Sequence, residues 1–133
     1  SALVETLIYS LQSAQVDRSL LSSIHIEGKV ADDRIKKAIR LMNESLAEIS
    51  IAQVANESGL SLRNFNRLFL NEAGMTPKNY LIVRRIDKAK DLLKKTQMTI
   101  TDISLEVGYG SLSKFIETFK KIEGQLPSDY RSK

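Results

Sequence analysis

SIAQVANESGLSLRNFNRLFLNEAGMTPKNY, residues Ser50–Tyr80, is written a second time as TITDISLEVGYGSLSKFIETFKKIEGQLPSDY, residues Thr99–Tyr130. Ser50, Gln53 and Gly59 align with Thr99, Asp102 and Gly108 at an offset of 49. One inserted residue, Gly110, raises the offset to 50, at which Ser61 pairs with Ser111, Phe65 with Phe115, Phe69 with Phe119, Gly74 with Gly124, Pro77 with Pro127 and Tyr80 with Tyr130. Six of the chain's eight aromatic residues fall into these pairs, which chance does not explain. The chain carries an internal repeat.

Each copy opens on an N-cap signature: Ser50 with Gln53 is a capping box, and Thr99 with Asp102 a close variant. A short helix follows, with Ile51, Val54 and Ala55 inward in the first copy, and Ile100, Ile103 and either Leu105 or Val107 in the second. Gly59 and Gly108 then stand where a left-handed residue ends a helix and turns the chain sharply. Ser61 and Ser111 cap a second helix of about three turns that runs to Gly74 or Gly124. Short helix, glycine turn and capped second helix together make the helix-turn-helix pattern.

On the second helix of the first copy, Phe65, Leu68 and Phe69 share one face at 3.6 residues per turn. Arg63, Asn66 and Arg67 point the opposite way, with Asn64 beside them. Arginine pairs bidentately with guanine and asparagine with adenine, so this face suits base edges. A plain solvated face has the same composition, and the turn context favours the DNA-reading alternative. Between the copies, Thr76 and Pro77 start a long helix with Tyr80, Leu81, Ile86, Ala89, Leu92 and Leu93 on its apolar side. Arg84, Arg85, Lys88, Lys90, Lys94 and Lys95 line the remainder, either for solubility or for phosphate.

The rest of the chain agrees with an all-α fold. Its 133 residues are 42% hydrophobic and 27% charged, enough to bury a core and remain soluble. Residues 1–30 hold two cations against three carboxylates, and residues 31–133 hold 18 against 13, so the basic excess belongs to the later part of the chain. The stripe Leu3, Val4, Leu7, Ile8, Leu11 and the apolar stretch Leu20, Leu21, Ile24 predict helical structure before a linker around Gly28. Asp32 or Asp33 caps a helix bearing Ile35, Ile39, Met42 and Leu46. The chain begins at Ser1 rather than at methionine, and we expect residues 1–31 to be a linker or the remnant of an upstream dimerisation or effector domain, giving a possible homodimer.

Several classes of function fit poorly. With no cysteine there is no disulfide, thiolate metal site or thiol nucleophile. The only histidine, His25, lies outside the repeats, there is no glycine-rich phosphate loop, and the carboxylates are scattered. No enzyme activity, cofactor or metal is expected. No apolar run approaches a membrane span and no signal peptide is visible, so no membrane partner and a cytoplasmic location are expected.

Over residues 32–131 the chain resembles the AraC/XylS family of transcription regulators. The resemblance rests on I-A-Q-V-A-x-x-S-G-L-S, R-x-F-x-R-L-F, G-M-T-P-x-x-Y, R-I-x-x-A-x-x-L-L, T-I-T-D-I-S-x-E-V-G-Y and F-K-K-x-x-G-x-x-P-S-x-Y-R in this order. It implies seven helices and two homeodomain-like helix-turn-helix subdomains, about 51–72 and about 99–122, joined by the long helix. It also implies activation more often than repression, and recognition helices starting near Ser61 and Ser111 that enter successive major grooves of double-stranded DNA. RNA polymerase is the expected protein partner, and the alternative is an adaptor whose second unit binds that partner in place of bases.

The second copy departs from the family pattern. Lys114-Phe115-Ile116-Glu117 stands where an aromatic residue followed by Phe-Ser-Arg is usual, and Leu126 replaces a Ser or Thr cap. Its candidate DNA-facing residues are Ser111, Leu112, Ser113, Lys114, Ile116, Glu117 and Lys120, beside Ser61, Arg63, Asn64, Asn66 and Arg67 in the first copy. Leu112 and Ile116 suit thymine methyls and Glu117 suits a cytosine amine, or Glu117 simply pairs with Lys114 or Lys121.

Overall fold

The computed structural model of the chain describes residues 30–133, so the expected N-terminal helical extension and the linker around Gly28 lie outside the described residues. Among the described residues there are seven helices and no strand: α1 (Asp33–Glu44), α2 (Ile51–Glu57), α3 (Leu62–Ala73), α4 (Pro77–Lys95), α5 (Ile100–Glu106), α6 (Leu112–Glu123) and α7 (Pro127–Ser132). They belong to two compact units that divide inside α4, between Arg84 and Arg85.

Helix ends follow the caps that the sequence announces. The side chains of Asp32, Ser50, Ser61, Thr99 and Ser111 each accept a hydrogen bond from a first-turn amide, and Thr76 Oγ1 accepts one from the Asn79 amide at 3.2 Å. Helix α7 alone among the seven lacks a side-chain cap, because Leu126 occupies its N-cap position. Gly59 and Gly108 end the short helices with φ of 75° and 102°, and Gly74 and Gly124 end the longer ones at 79° each. These left-handed conformations strain any residue that bears a Cβ.

In the first unit, α1 buries Ile35, Ala38, Ile39 and Met42 against α2 and α3. The expected stripe continued to Leu46, but α1 stops at Glu44. Ser45 turns out of the helix while its amide still bonds the Leu41 carbonyl at 3.2 Å, and Leu46 is buried from the turn that follows. Phe65 and Phe69 of α3 are fully buried and meet at 5.6 Å, and Phe69 meets Tyr80 of α4 at 5.7 Å. Each buried phenyl ring contributes about 1.5–3 kcal/mol through the area it removes from water, and edge-on contacts add to that.

The second unit repeats this core. Phe115 and Phe119 of α6 meet at 5.9 Å, and Phe119 meets Tyr130 of α7 at 5.7 Å. Tyr109, which has no aromatic counterpart in the first copy, extends the chain of rings by meeting Phe115 at 5.5 Å. Of the two candidates for the inward position of α5, Val107 is fully buried and Leu105 is 60% exposed. The short helix ends at Glu106, so Val107 turns inward at the C-cap while Leu105 stays on the outer face.

Candidate nucleic-acid interface

Helix α3 carries its polar face away from the aromatic core. Arg63, Asn64, Asn66 and Arg67 are all exposed while Phe65 and Phe69 between them are fully buried. Among the described residues, none of these four side chains has a hydrogen-bond or salt-bridge partner. Two guanidinium and two amide groups therefore stand ready on a helix whose start is held by Ser61 Oγ, which accepts from the Asn64 amide at 3.2 Å. Its orientation is set by two buried rings, so the polar face is displayed on a rigid base.

Helix α6 is built on the same frame and displays different chemistry. Ser111 Oγ accepts from the Lys114 amide at 3.3 Å, and Ser111, Leu112, Ser113, Lys114, Glu117 and Lys120 are exposed, with Ile116 half-buried. Of the two fates open to Glu117, the structure shows an ion pair with Lys121 at 3.7 Å, both side chains about half exposed. A pair so exposed adds little stability, but it offsets a negative charge on the surface. Lys114 and Lys120 have no ion-pair partner among the described residues.

Several cations of α4 are engaged within the protein. Arg84 Nε donates to Asn43 Oδ1 at 3.0 Å, and Asn43 Nδ2 donates to Tyr80 Oη at 2.8 Å and to the Ile39 carbonyl at 3.0 Å. Lys90 pairs with the mostly buried Glu123 at 3.4 Å. Lys94 sits over the Tyr130 ring at 4.7 Å, and Lys95 pairs with Asp91 at 2.9 Å. Arg85 approaches the Tyr109 ring at 6.0 Å, and loss of water around its guanidinium pulls its pKa down. Burial in turn pushes the Tyr109 hydroxyl up, partly offset by a hydrogen bond with Thr118 and by the charge of Arg85. Three of the six cations read from sequence as solubility or phosphate groups, Arg84, Lys90 and Lys94, thus hold structure in place, while Lys95 shares only an exposed pair with Asp91 and Lys88 stands exposed.

Sequence reasoning also gave no role to Arg131. Its guanidinium donates to the carbonyls of Leu93 at 3.0 Å, Met98 at 2.6 Å and Thr96 at 3.4 Å, tying α7 to the end of α4 and the loop beyond. The signal was a lone arginine directly after the repeated Tyr130, at a place where the first copy has Leu81. Among the described residues no group of three or more His, Asp or Glu side chains is placed to hold a metal ion.

Two units of short helix, glycine turn and capped second helix, each backed by the same three-ring core, define a double helix-turn-helix domain. Residues 54–133 match the family described as a helix-turn-helix domain, and the chain belongs to the AraC/XylS family. It is 31% identical over 130 residues to an uncharacterized HTH-type transcriptional regulator of Haemophilus influenzae, covering 97% of this chain and 42% of that protein. It is 30% identical over 129 residues to the virulence regulon transcriptional activator VirF of Yersinia enterocolitica, covering 96% of this chain and 46% of the activator. The chain thus spans less than half the length of these curated relatives. A transcriptional regulator of Chromobacterium violaceum, described as containing an AraC-type DNA-binding domain, superposes with a TM-score of 0.69 at 28% identity, covering 75% of this chain and 90% of that one.

Proposed function

We propose that this chain is the DNA-reading part of a transcription regulator, most readily an activator. Helix α3 enters one major-groove segment and α6 the next. The observation that carries the proposal is the exposed set Arg63, Asn64, Asn66 and Arg67, without partners among the described residues, on a capped helix anchored by Phe65 and Phe69. Arginine and asparagine provide bidentate donors that match guanine and adenine edges, and Ser61 at the cap and the lysines of α6 suit phosphates. The similarity to VirF, a virulence regulon transcriptional activator, supports the regulatory reading, and no catalytic role is part of it. No helix among the described residues is long and apolar enough to cross a membrane.

The test is binding to duplex DNA across a salt series, with footprinting. Affinity falls steeply with salt, and protection covers two segments about one helical turn, roughly 10 bp, apart. Arg67→Ala weakens specific binding by about 1–3 kcal/mol and relaxes sequence preference. Binding indifferent to salt, or a single protected segment, refutes this docking.

A second reading draws on the exposed Leu105, which makes the outer face of α5 suited to a protein partner such as RNA polymerase. Leu105→Asp then lowers activation in a reporter strain while leaving duplex binding unchanged. Upstream dimerisation through the stripe Leu3, Leu7, Ile8 and Leu11 belongs to the same proposal, and sedimentation of the full-length protein checks it.

A further inference from the structure

Because the two units share caps, glycine turns and ring spacings, their recognition helices can be compared place by place. At the offset of 50, Arg63, Asn66 and Arg67 of α3 correspond to Ser113, Ile116 and Glu117 of α6. Every bidentate reader of the first helix is replaced, and the carboxylate among the replacements is tied to Lys121. Among the exposed residues of the two helices, Leu62 and Leu112 keep the same type, exposed by 47% and 38%.

The replacements also change the surface beside the helix. Leu112 and Ile116 lie one turn apart on α6 and line an open groove with Ile100, Leu126, Pro127 and Ser128. At the matching places of the first copy stand Asn66 for Ile116 and Thr76 for Leu126. Thr76 caps α4 there, whereas Leu126 leaves α7 without a side-chain cap and stays 38% exposed. The lost cap costs α7 stability, and the residue that displaces it helps line an apolar groove open to solvent.

Resting on the DNA-binding reading above, we propose that the second unit reads its half-site through thymine methyl groups, which Leu112 and Ile116 receive at the mouth of this groove. The C5 methyl of thymine is the one apolar feature that base pairs display in the major groove, and branched aliphatic side chains recognise it by excluding water. Cations on the recognition helix itself favour DNA as the occupant, while Asp102 and Glu106 lie on α5 and Asp129 on α7. Lys114 and Lys120, on the exposed side of the same helix, are cations without ion-pair partners among the described residues, while Glu117 and Glu123 are paired with Lys121 and Lys90. The two halves of the domain therefore use opposite chemistries: hydrogen-bond donors in α3, and methyl contacts in α6.

The experiment selects preferred duplexes from a randomised pool with the whole chain, then replaces thymines one at a time by deoxyuridine, which removes only the methyl. In the half-site protected by α6, each contacted thymine loses affinity by about fourfold on replacement. Leu112→Ala and Ile116→Ala bind the thymine and deoxyuridine duplexes equally, and unchanged melting of both variants shows that they remain folded. Wild-type protein that binds deoxyuridine duplexes as tightly as thymine duplexes overturns the methyl reading and leaves DNA binding intact. Failure to retain any duplex in a salt-dependent way overturns the DNA-binding reading itself, and this one with it.

Discussion

Arg131→Ala removes a single side chain that ties together the end of α4, the following loop and α7. Its guanidinium makes two well-formed hydrogen bonds to the carbonyls of Leu93 and Met98, at 3.0 and 2.6 Å, and a long one to Thr96 at 3.4 Å. Hydrogen bonds from a charged donor contribute roughly 1.5–3 kcal/mol each. Arg131 is only partly buried, so water replaces it at the carbonyls and the low end of that range applies. Two bonds at or just below the low end and nothing for the third give a loss of about 2–3 kcal/mol. For a chain of this size that lowers the melting temperature by roughly 8–12 °C. Arg131→Lys keeps the charge but reaches at most part of the fork, so it retains about half of the stability. Thermal and urea unfolding followed by circular dichroism measure both variants, with Lys133→Ala as the control. A loss below about 0.5 kcal/mol, equal for alanine and lysine, refutes the reasoning, because it would place the guanidinium in solvent.

Gly124→Ala, at φ of 79°, destabilises by about 1 kcal/mol or more in the same unfolding assay, while Gly110→Ala, outside the left-handed region, is neutral or slightly stabilising. Leu126→Ser supplies the absent cap of α7 and raises stability by about 0.5–1 kcal/mol. The raised Tyr109 pKa predicts that its contribution to stability is fully present below the ordinary tyrosine range and is lost as pH rises through the folded value; Tyr109→Phe flattens that alkaline decline in a pH series of melts. Glu117→Ala tightens binding to any duplex or leaves it unchanged, since it removes a carboxylate facing a polyanion; titration against a preferred and a scrambled duplex checks this, and a loss confined to the preferred site refutes it.

Much of this domain is local in origin, and local features are legible in a sequence. Caps act within three residues, so Ser50, Ser61, Thr76, Thr99 and Ser111 mark helix starts without knowledge of the fold. A left-handed turn needs a glycine, and helical spacing separates Phe65 and Phe69 from Arg63, Asn66 and Arg67. Repetition matched Tyr80 with Tyr130 across the two copies, but their packing on Phe69 and Phe119 came only from the fold. The exact end of α1 was not legible, because Leu46 keeps the apolar period and is buried after the helix has stopped. Nor did periodicity choose between Leu105 and Val107, since the choice depends on where α5 breaks.

What only the tertiary structure decided concerns groups whose partners lie far along the chain. Arg131 finds carbonyls 33 to 38 residues away, and Asn43 meets Tyr80 and Arg84 at separations of 37 and 41. Lys90 finds Glu123 across the unit, and Lys94 finds the face of Tyr130. In the sequence these cations look alike, because composition and spacing set where a charge sits on its own helix. Whether that charge faces solvent, a carbonyl or a ring depends on which other helix packs beside it. Arg63, Asn64, Asn66 and Arg67 face no such helix among the described residues, so their side chains stay solvated and available to a partner outside the chain.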